Sequence, residues 1–150
     1  MKDPDFDDPR TDDAWCAAMR ECVAAYLASE RVTHGAIGEW PAWHVAPYVA
    51  VWAVESVARP GWVGWWVLCG DLPTDYVSAE GIGHPREALR VIARRWQAYC
   101  ADVRAGSIPS GFEIRAVTES PAELLPLLES RAQTLAEWAA DDAIWSDEFE

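Results

Sequence analysis

Two strand-length apolar runs leave this chain few ways to fold. Residues 48–54, YVAVWAV, are all β-branched, aromatic or alanine, and residues 62–69, WVGWWVLC, form a second such run. Apolar residues do not alternate with polar ones in either, so each reads as a strand buried on both faces. Arg59-Pro60-Gly61 between them is a turn signal, and so short a link makes the strands an antiparallel pair. Such a pair needs cover on both sides.

Helical patterns flank the pair. Thr11-Asp12-Asp13 can cap a helix and suits its positive end. Trp15, Met19, Cys22 and Tyr26 then recur at helical spacing, with Val23 and Leu27 beside them, which predicts one apolar stripe ending near Arg31. Gly35 and Gly38 interrupt that pattern, and Pro41 and Pro47 forbid a regular helix over residues 40–47. Gly70 opens a turn, and Tyr76-Val77 begins a short third strand. Gly81-Ile82-Gly83-His84-Pro85 marks a second helix, with Leu89, Ile92, Trp96, Tyr99 and Val103 inward and Gly106 at its end.

Residues 112–117 read as an edge strand, and Ser120-Pro121-Ala122-Glu123 is a capping box opening the last helix. Leu124, Leu128, Leu135 and Trp138 line that helix, Trp145 continues the line, and Pro126 is expected to kink or delay the first turns. Strands grouped between helices predict an α+β fold: a small antiparallel sheet of two to four strands packed with about three helices in a single domain. The domain is expected over residues 12–145, with an acidic flexible N-terminus at 1–11 and an acidic tail at 146–150. Helices would cover one sheet face, and the segment 40–47 or a second copy of the chain the other.

The formal charge of −13 is uneven. Residues 1–13 carry −4 and residues 119–150 carry −8, leaving −1 over 14–118. Acidic ends argue against binding nucleic acid, whose phosphates need basic partners. They suit a basic protein partner drawn in by the field, although solvated charge alone is the plainer reading.

The four cysteines, Cys16, Cys22, Cys69 and Cys100, include no C-x-x-C pair, so they read as reduced, mostly buried thiols rather than a zinc knuckle. Met1-Lys2-Asp3-Pro4-Asp5 lacks the apolar stretch of a signal peptide, and the longest apolar run, residues 45–54, is ten residues long and interrupted by Pro47. A cytoplasmic protein without a membrane partner is expected.

Residues 40–96 resemble an uncharacterised family of small bacterial proteins, a domain-of-unknown-function family. WPAWHVAPYVAVWAVES, GWWVLCGDLPTDYV and HPREALRVIARRW carry the likeness, and the closing LLPLLESRAQTLAEWAADDAIW extends it over most of the chain. The resemblance implies a shared fold and a bacterial, cytosolic setting. It implies no cofactor and no catalytic residue.

Several residues could carry chemistry. In GDLPTDY, Asp71 and Asp75 could form a metal-binding or acid–base pair. Turn-shaping by Gly70 and Pro73, backbone bonds from Asp71 and Thr74, and a pairing of Asp75 with Arg86 form the structural reading, which is favoured. Glu55 follows an apolar strand, so burial would raise its pKa and suit it as a general base; pairing with Arg59 or with an arginine of the second helix is the favoured alternative.

His34, His44 and His84 have no metal-binding spacing. Ser56 and Ser78 lie in no nucleophile elbow, and Gly81-Ile82-Gly83 lacks the rest of a phosphate loop. Arg86, Arg90 and Arg94 form a helix stripe that would pair with the acidic last helix or bind an anion.

Trp40, Trp43, Trp52, Trp62, Trp65 and Trp66 crowd one region, and adjacent Trp65 and Trp66 must point to opposite faces. Incomplete cover would leave an exposed aromatic patch, a feature of interfaces. The favoured expectation is therefore a non-enzymatic acidic protein-binding module, a bacterial inhibitor or immunity protein by analogy, with no cofactor. Its candidate contact residues are Trp40, Trp43, Trp65, Asp141, Asp142 and Trp145. The alternatives are a small metal-dependent or acid–base enzyme using Glu55, Asp71, Asp75 and His44, and a homodimer with a mainly structural role.

Overall fold

The computed structural model describes residues 8–106 and 121–145. The expected edge strand over 112–117, Ser120 of the capping box and the outermost acidic residues lie outside them. The chain falls into two compact units, Met1–Pro85 and Arg86–Glu150. Together they make an α+β arrangement of one four-stranded antiparallel sheet and four helices among the described residues. No helix among these residues is long and apolar enough to cross a membrane.

The first unit opens with α1 (Pro9–Ser29). The helix starts earlier than the Thr11-Asp12-Asp13 signal suggests, because Asp8 caps it by accepting from the Arg10 N–H at 2.9 Å and Pro9 occupies its first turn. It ends without glycine. Arg31 adopts φ 57°, its N–H donates to Ala28 O, and the Val32 N–H donates to Leu27 O, which closes the last turn in a Schellman arrangement.

The sheet order follows the chain: β1 (Trp43–Val45), β2 (Val49–Glu55), β3 (Val63–Gly70) and β4 (Asp75–Ser78). β2 and β3 are the two apolar runs, and Tyr76-Val77 lies in β4 as expected. β1 corrects the expectation for residues 40–47. That segment lies beside β2 as an edge strand, with Trp43 opposite Val51 and His44 opposite Ala50, and so extends the sheet rather than roofing a face.

Strand alternation divides the apolar residues between two faces. Ala50, Trp52 and Val54 of β2 sit beside Cys69, Val67 and Trp65 of β3, and α1 packs Val23 and Leu27 onto that face. Trp52, Val54, Val67, Val23 and Leu27 are fully buried there. The other face presents Val49, Val51, Trp66, Leu68 and Val77, which are also buried. Trp65 and Trp66 thus take opposite faces, as adjacency in a strand requires; Trp65 meets Tyr76 edge-on at 5.7 Å.

The α1 stripe is rotated from the expected one. Cys16, Val23 and Leu27 are its buried residues, Trp15, Met19 and Tyr26 flank them, and Cys22 is exposed. Cys16, Cys69 and Cys100 are buried, and all four thiols are free.

The second unit holds α2 (Pro85–Arg104), α3 (Pro121–Ala140) and the short α4 (Asp142–Trp145). Leu89, Ile92 and Trp96 of α2 and Leu128, Ala132 and Leu135 of α3 are fully buried. The early turns of α2 meet the end of α3: Arg86 Nε donates to Ala139 O at 2.6 Å, and Arg86 Nη2 reaches Asp142 at 2.5 Å. The far end of α2 meets early α3 through the Arg104–Glu129 ion pair, so the helices run antiparallel. Helix α3 neither starts late nor waits for Pro126, which lies inside it at an exposed position. Trp145 sits on separate α4, buried, with its indole N–H donating to Trp138 O at 2.9 Å.

Gly70 shapes the turn that opens GDLPTDY. Its φ is 139°, and a Cβ there would run into Tyr48 O and lie 2.9 Å from Val49 Cα, while the Asp71 N–H donates to Tyr48 O at 2.9 Å. Gly70→Ala is therefore expected to destabilise the protein by at least about 2 kcal/mol, read as a lower urea midpoint with an unchanged slope.

Candidate functional site

The expected acid cluster does not assemble as one set. Glu55 ends β2, whereas Asp71 sits beside Tyr48, before the start of the same strand. Seven strand residues separate the two ends by about 20 Å. Asp75 pairs in register with Leu68 and is buried, and its Oδ1 accepts the Tyr76 N–H at 2.8 Å; Asp71 is exposed. His44 on β1 is separated from Asp75 on β4 by the two central strands and turns to helix α1 instead.

Glu55 has a structural task, though not an arginine pairing. Its Oε2 accepts the Gly61 N–H at 2.9 Å and its Oε1 accepts the Ala36 N–H at 3.3 Å. Its main chain pairs with the same segment, Gly35 N–H to Glu55 O and Glu55 N–H to Ala36 O, both at 2.8 Å. Arg20 of α1 fixes that segment by donating to Ile37 O and Gly38 O, each at 2.9 Å. The bonds from Gly61 and then Ala36 hold the Glu55 carboxyl below the ordinary carboxylate value, opposite to the raised pKa a buried general base would need.

The β2–β3 hairpin offers a different kind of site. Beyond Glu55 the loop turns on Ser56, whose hydroxyl accepts the Arg59 N–H at 3.0 Å, and closes with the Ser56 N–H donating to Trp62 O at 2.9 Å. A cleft of about 700 Å³ opens beside this loop. Arg59 and Trp62 of the loop, Trp66 of β3, and Ser78, Glu80 and Gly81 after β4 line it. The Trp66 indole N–H donates to Ile82 O at 2.8 Å, which ties the segment after β4 to the sheet.

Trp62 is 61% exposed, with Val57 and Val63 also exposed and the Arg59 guanidinium 4.2 Å from the indole centroid. Arg59 thereby holds the ring against the loop, a cation–π contact. Cleft and rim supply apolar area, a cation and hydroxyls, which is equipment for recognition.

The expected contact residues separate on burial. Trp40 is exposed, and Tyr48 joins it as an exposed aromatic on the β1–β2 turn. Trp43 and Trp145 are 3% and 6% exposed, so neither offers a docking surface. Trp65 is half-buried against Tyr76. Asp141 and Asp142 are exposed, Asp141 capping α4 through the Ala143 N–H and Asp142 pairing with Arg86. Arg90 reaches Ala139 O at 3.4 Å, so Arg86 and Arg90 secure the end of α3; of the acid pairings expected for the stripe, Arg86 makes one with Asp142, whereas Arg90 reaches a main-chain carbonyl and Arg94 is exposed.

One cluster was missed. His44 shares the sheet face that α1 covers, and its Nε2 lies 2.9 and 3.1 Å from the two Asp12 carboxylate oxygens. Cys16, one helical turn beyond Asp12, completes a group whose donor atoms all lie within 4.8 Å of one another. Trp15 stacks on the His44 ring at 6.1 Å. Burial, helped by the charges of Asp12 and Asp13, pushes the Cys16 thiol up to about 11. The i, i+4 spacing of Asp12 and Cys16 was visible in the sequence; the approach of His44 was not.

The family described as "Domain of unknown function (DUF4826)" matches residues 10–145, and the chain belongs to it. No curated protein and no solved structure matches the chain.

Two outcomes follow from the carboxyl and thiol environments. Glu55 has a depressed folded-state pKa, so its stabilisation is present above the unfolded value near 4.5 and is lost as pH falls through the folded value. Glu55→Gln should lower the melting temperature at neutral pH, and the gap to the parent protein should close on acidification below that range. Thiol titration of the native, reduced protein should show one fast-reacting group, removed by Cys22→Ser, with Cys16, Cys69 and Cys100 reacting only on unfolding.

Proposed function

We propose that this member of the family is a non-enzymatic protein-binding module of the inhibitor or immunity type, which takes a basic partner against the aromatic rim of the β2–β3 hairpin. The observation that carries this reading is Trp62, held 61% exposed beside Val57, Val63 and an open cleft. A tryptophan in water spends apolar area that folding has not used, and tryptophans are enriched among residues that dominate binding energy. The cleft beside it can receive one inserted side chain, with Ser78 and Glu80 placed to meet a polar or cationic end.

Charge supports a basic partner. The net charge of −13 favours encounter with a positive surface and disfavours acidic ones. Asp141 and Asp142 extend the exposed acid near the C-terminal end. Net charge of this kind acts on association rate and its salt dependence more than on the final affinity.

The test is affinity capture with the full chain, followed by titration calorimetry with the purified partner. A partner rich in lysine and arginine is expected. Trp62→Ala should weaken it by at least about thirtyfold, the loss of one dominant contact, while the melting temperature holds. Association should slow as ionic strength rises. An affinity unchanged by Trp62→Ala, or an acidic partner with no salt dependence, overturns the reading. A concentration-dependent dimer dissolved by Trp62→Ala would instead assign the rim to a second copy of the chain.

A further inference from the structure

We propose that Asp12, Cys16 and His44 form a mononuclear zinc site with one coordination position open to solvent. The three side chains bring a carboxylate oxygen, a thiol sulfur and an imidazole nitrogen within 4.8 Å of one another. That set selects the metal. Magnesium and calcium take shells of six or more oxygens, and one carboxylate does not supply them. Sulfur with imidazole suits a borderline-soft divalent ion, and zinc takes all three donor types.

The geometry is close to that requirement. Zinc bonds of about 2.0 to 2.3 Å place tetrahedral donor atoms about 3.5 Å apart. His44 Nε2 and the Asp12 oxygens are already at 2.9 and 3.1 Å. Small rotations of Asp12 and His44, whose side chains are 28% and 30% exposed, would gather the rest of the set around an ion. Cys16, buried in α1, stays fixed.

Each ligand is held by ordinary secondary structure. Asp12 and Cys16 stand one turn apart on α1, so their side chains share a face. His44 comes from β1, on the sheet face that carries Ala50 and Trp52, and Trp15 stacks on its ring. The partly exposed pair gives the ion a route from solvent, whereas the sulfur forms the inner wall.

Binding is a ligand exchange. The hydrated ion gives up water to the three side chains, a zinc–sulfur bond replaces the thiol S–H bond, and that proton leaves to solvent. The Asp12–His44 hydrogen bond is replaced by two metal bonds. Three protein ligands leave a fourth position, which water fills. Structural zinc sites are closed by four protein ligands; an open one can take a donor atom from outside the chain. This site draws on none of the hairpin residues, so it stands or falls separately from the binding reading.

The test uses the full, reduced chain stripped with chelator and titrated with Co²⁺ as a spectroscopic stand-in, then with Zn²⁺. One equivalent of Co²⁺ should give a near-ultraviolet thiolate-to-cobalt charge-transfer band with four-coordinate visible bands, and Zn²⁺ should bleach both. Cys16→Ala should abolish the charge-transfer band, and Cys22→Ser should leave it. His44→Gln and Asp12→Asn should each weaken Co²⁺ binding at least tenfold, with the far-ultraviolet circular dichroism unchanged. If Cys16→Ala does not fold, the partly exposed His44 and Asp12 variants decide. A parent protein without the band, a band lost in Cys22→Ser, or affinity unmoved by His44→Gln and Asp12→Asn overturns the proposal.

Discussion

The structure depends on a pair of central strands that have no polar face. β2 and β3 match Trp52 with Val67 and Val54 with Trp65 on one side, and Val51 with Leu68 and Ala53 with Trp66 on the other. Sliding one strand by a single residue would exchange the faces and set indoles where valines fit. The register is therefore fixed at both ends. At one, Gly70 lets the chain pass against Tyr48, where any side chain would collide with main chain. At the other, a bulge between Val54 and Glu55 starts the hairpin loop.

Glu55 shows how an acid at the rim of an apolar sheet can be consumed by the backbone. The loop that ends at Trp62 and the segment around Ala36 both leave N–H groups pointing at the strand end, and one carboxylate accepts from both. A carboxylate so held is stabilised in its charged form, a poor starting point for taking up a proton. The same tether steadies the loop that carries Arg59 and Trp62. A rigid exposed indole gives a partner contact area without a large ordering cost on binding.

Face assignment also explains the second cluster. β1 adds to the edge of the sheet in the register that sets His44 opposite Ala50, and Ala50 lies under α1. His44 must then face the helix, and it meets Asp12 where the helix begins. The rotation of the α1 stripe toward Cys16, Val23 and Leu27 turns Cys16 inward beside that pair and leaves Cys22 in solvent. A rotation of a fraction of a turn thus decides which thiol has a histidine for a neighbour.

Much of this was legible along the chain. Unbroken apolar runs identified β2 and β3, neighbouring tryptophans had to take opposite faces, and proline and glycine marked the start and end of α2. β1 was not legible, because three residues between prolines carry no periodic signal and owe their strand to β2 alongside. The N–H partners of Glu55 were hidden too, since an arginine is a visible partner in a sequence and a backbone N–H is not. The same limit hid the burial of Trp43 and Trp145, whose exposure depends on what packs over them. The sequence by itself determined local periodicity, and with it the helices, the central strands and the α+β class, because those follow from side chains a few residues apart. Only the tertiary structure decided that His44 meets Asp12 across 32 positions and that Trp62 stays in water while Trp43 does not, because burial and donor geometry depend on residues brought together from distant parts of the chain.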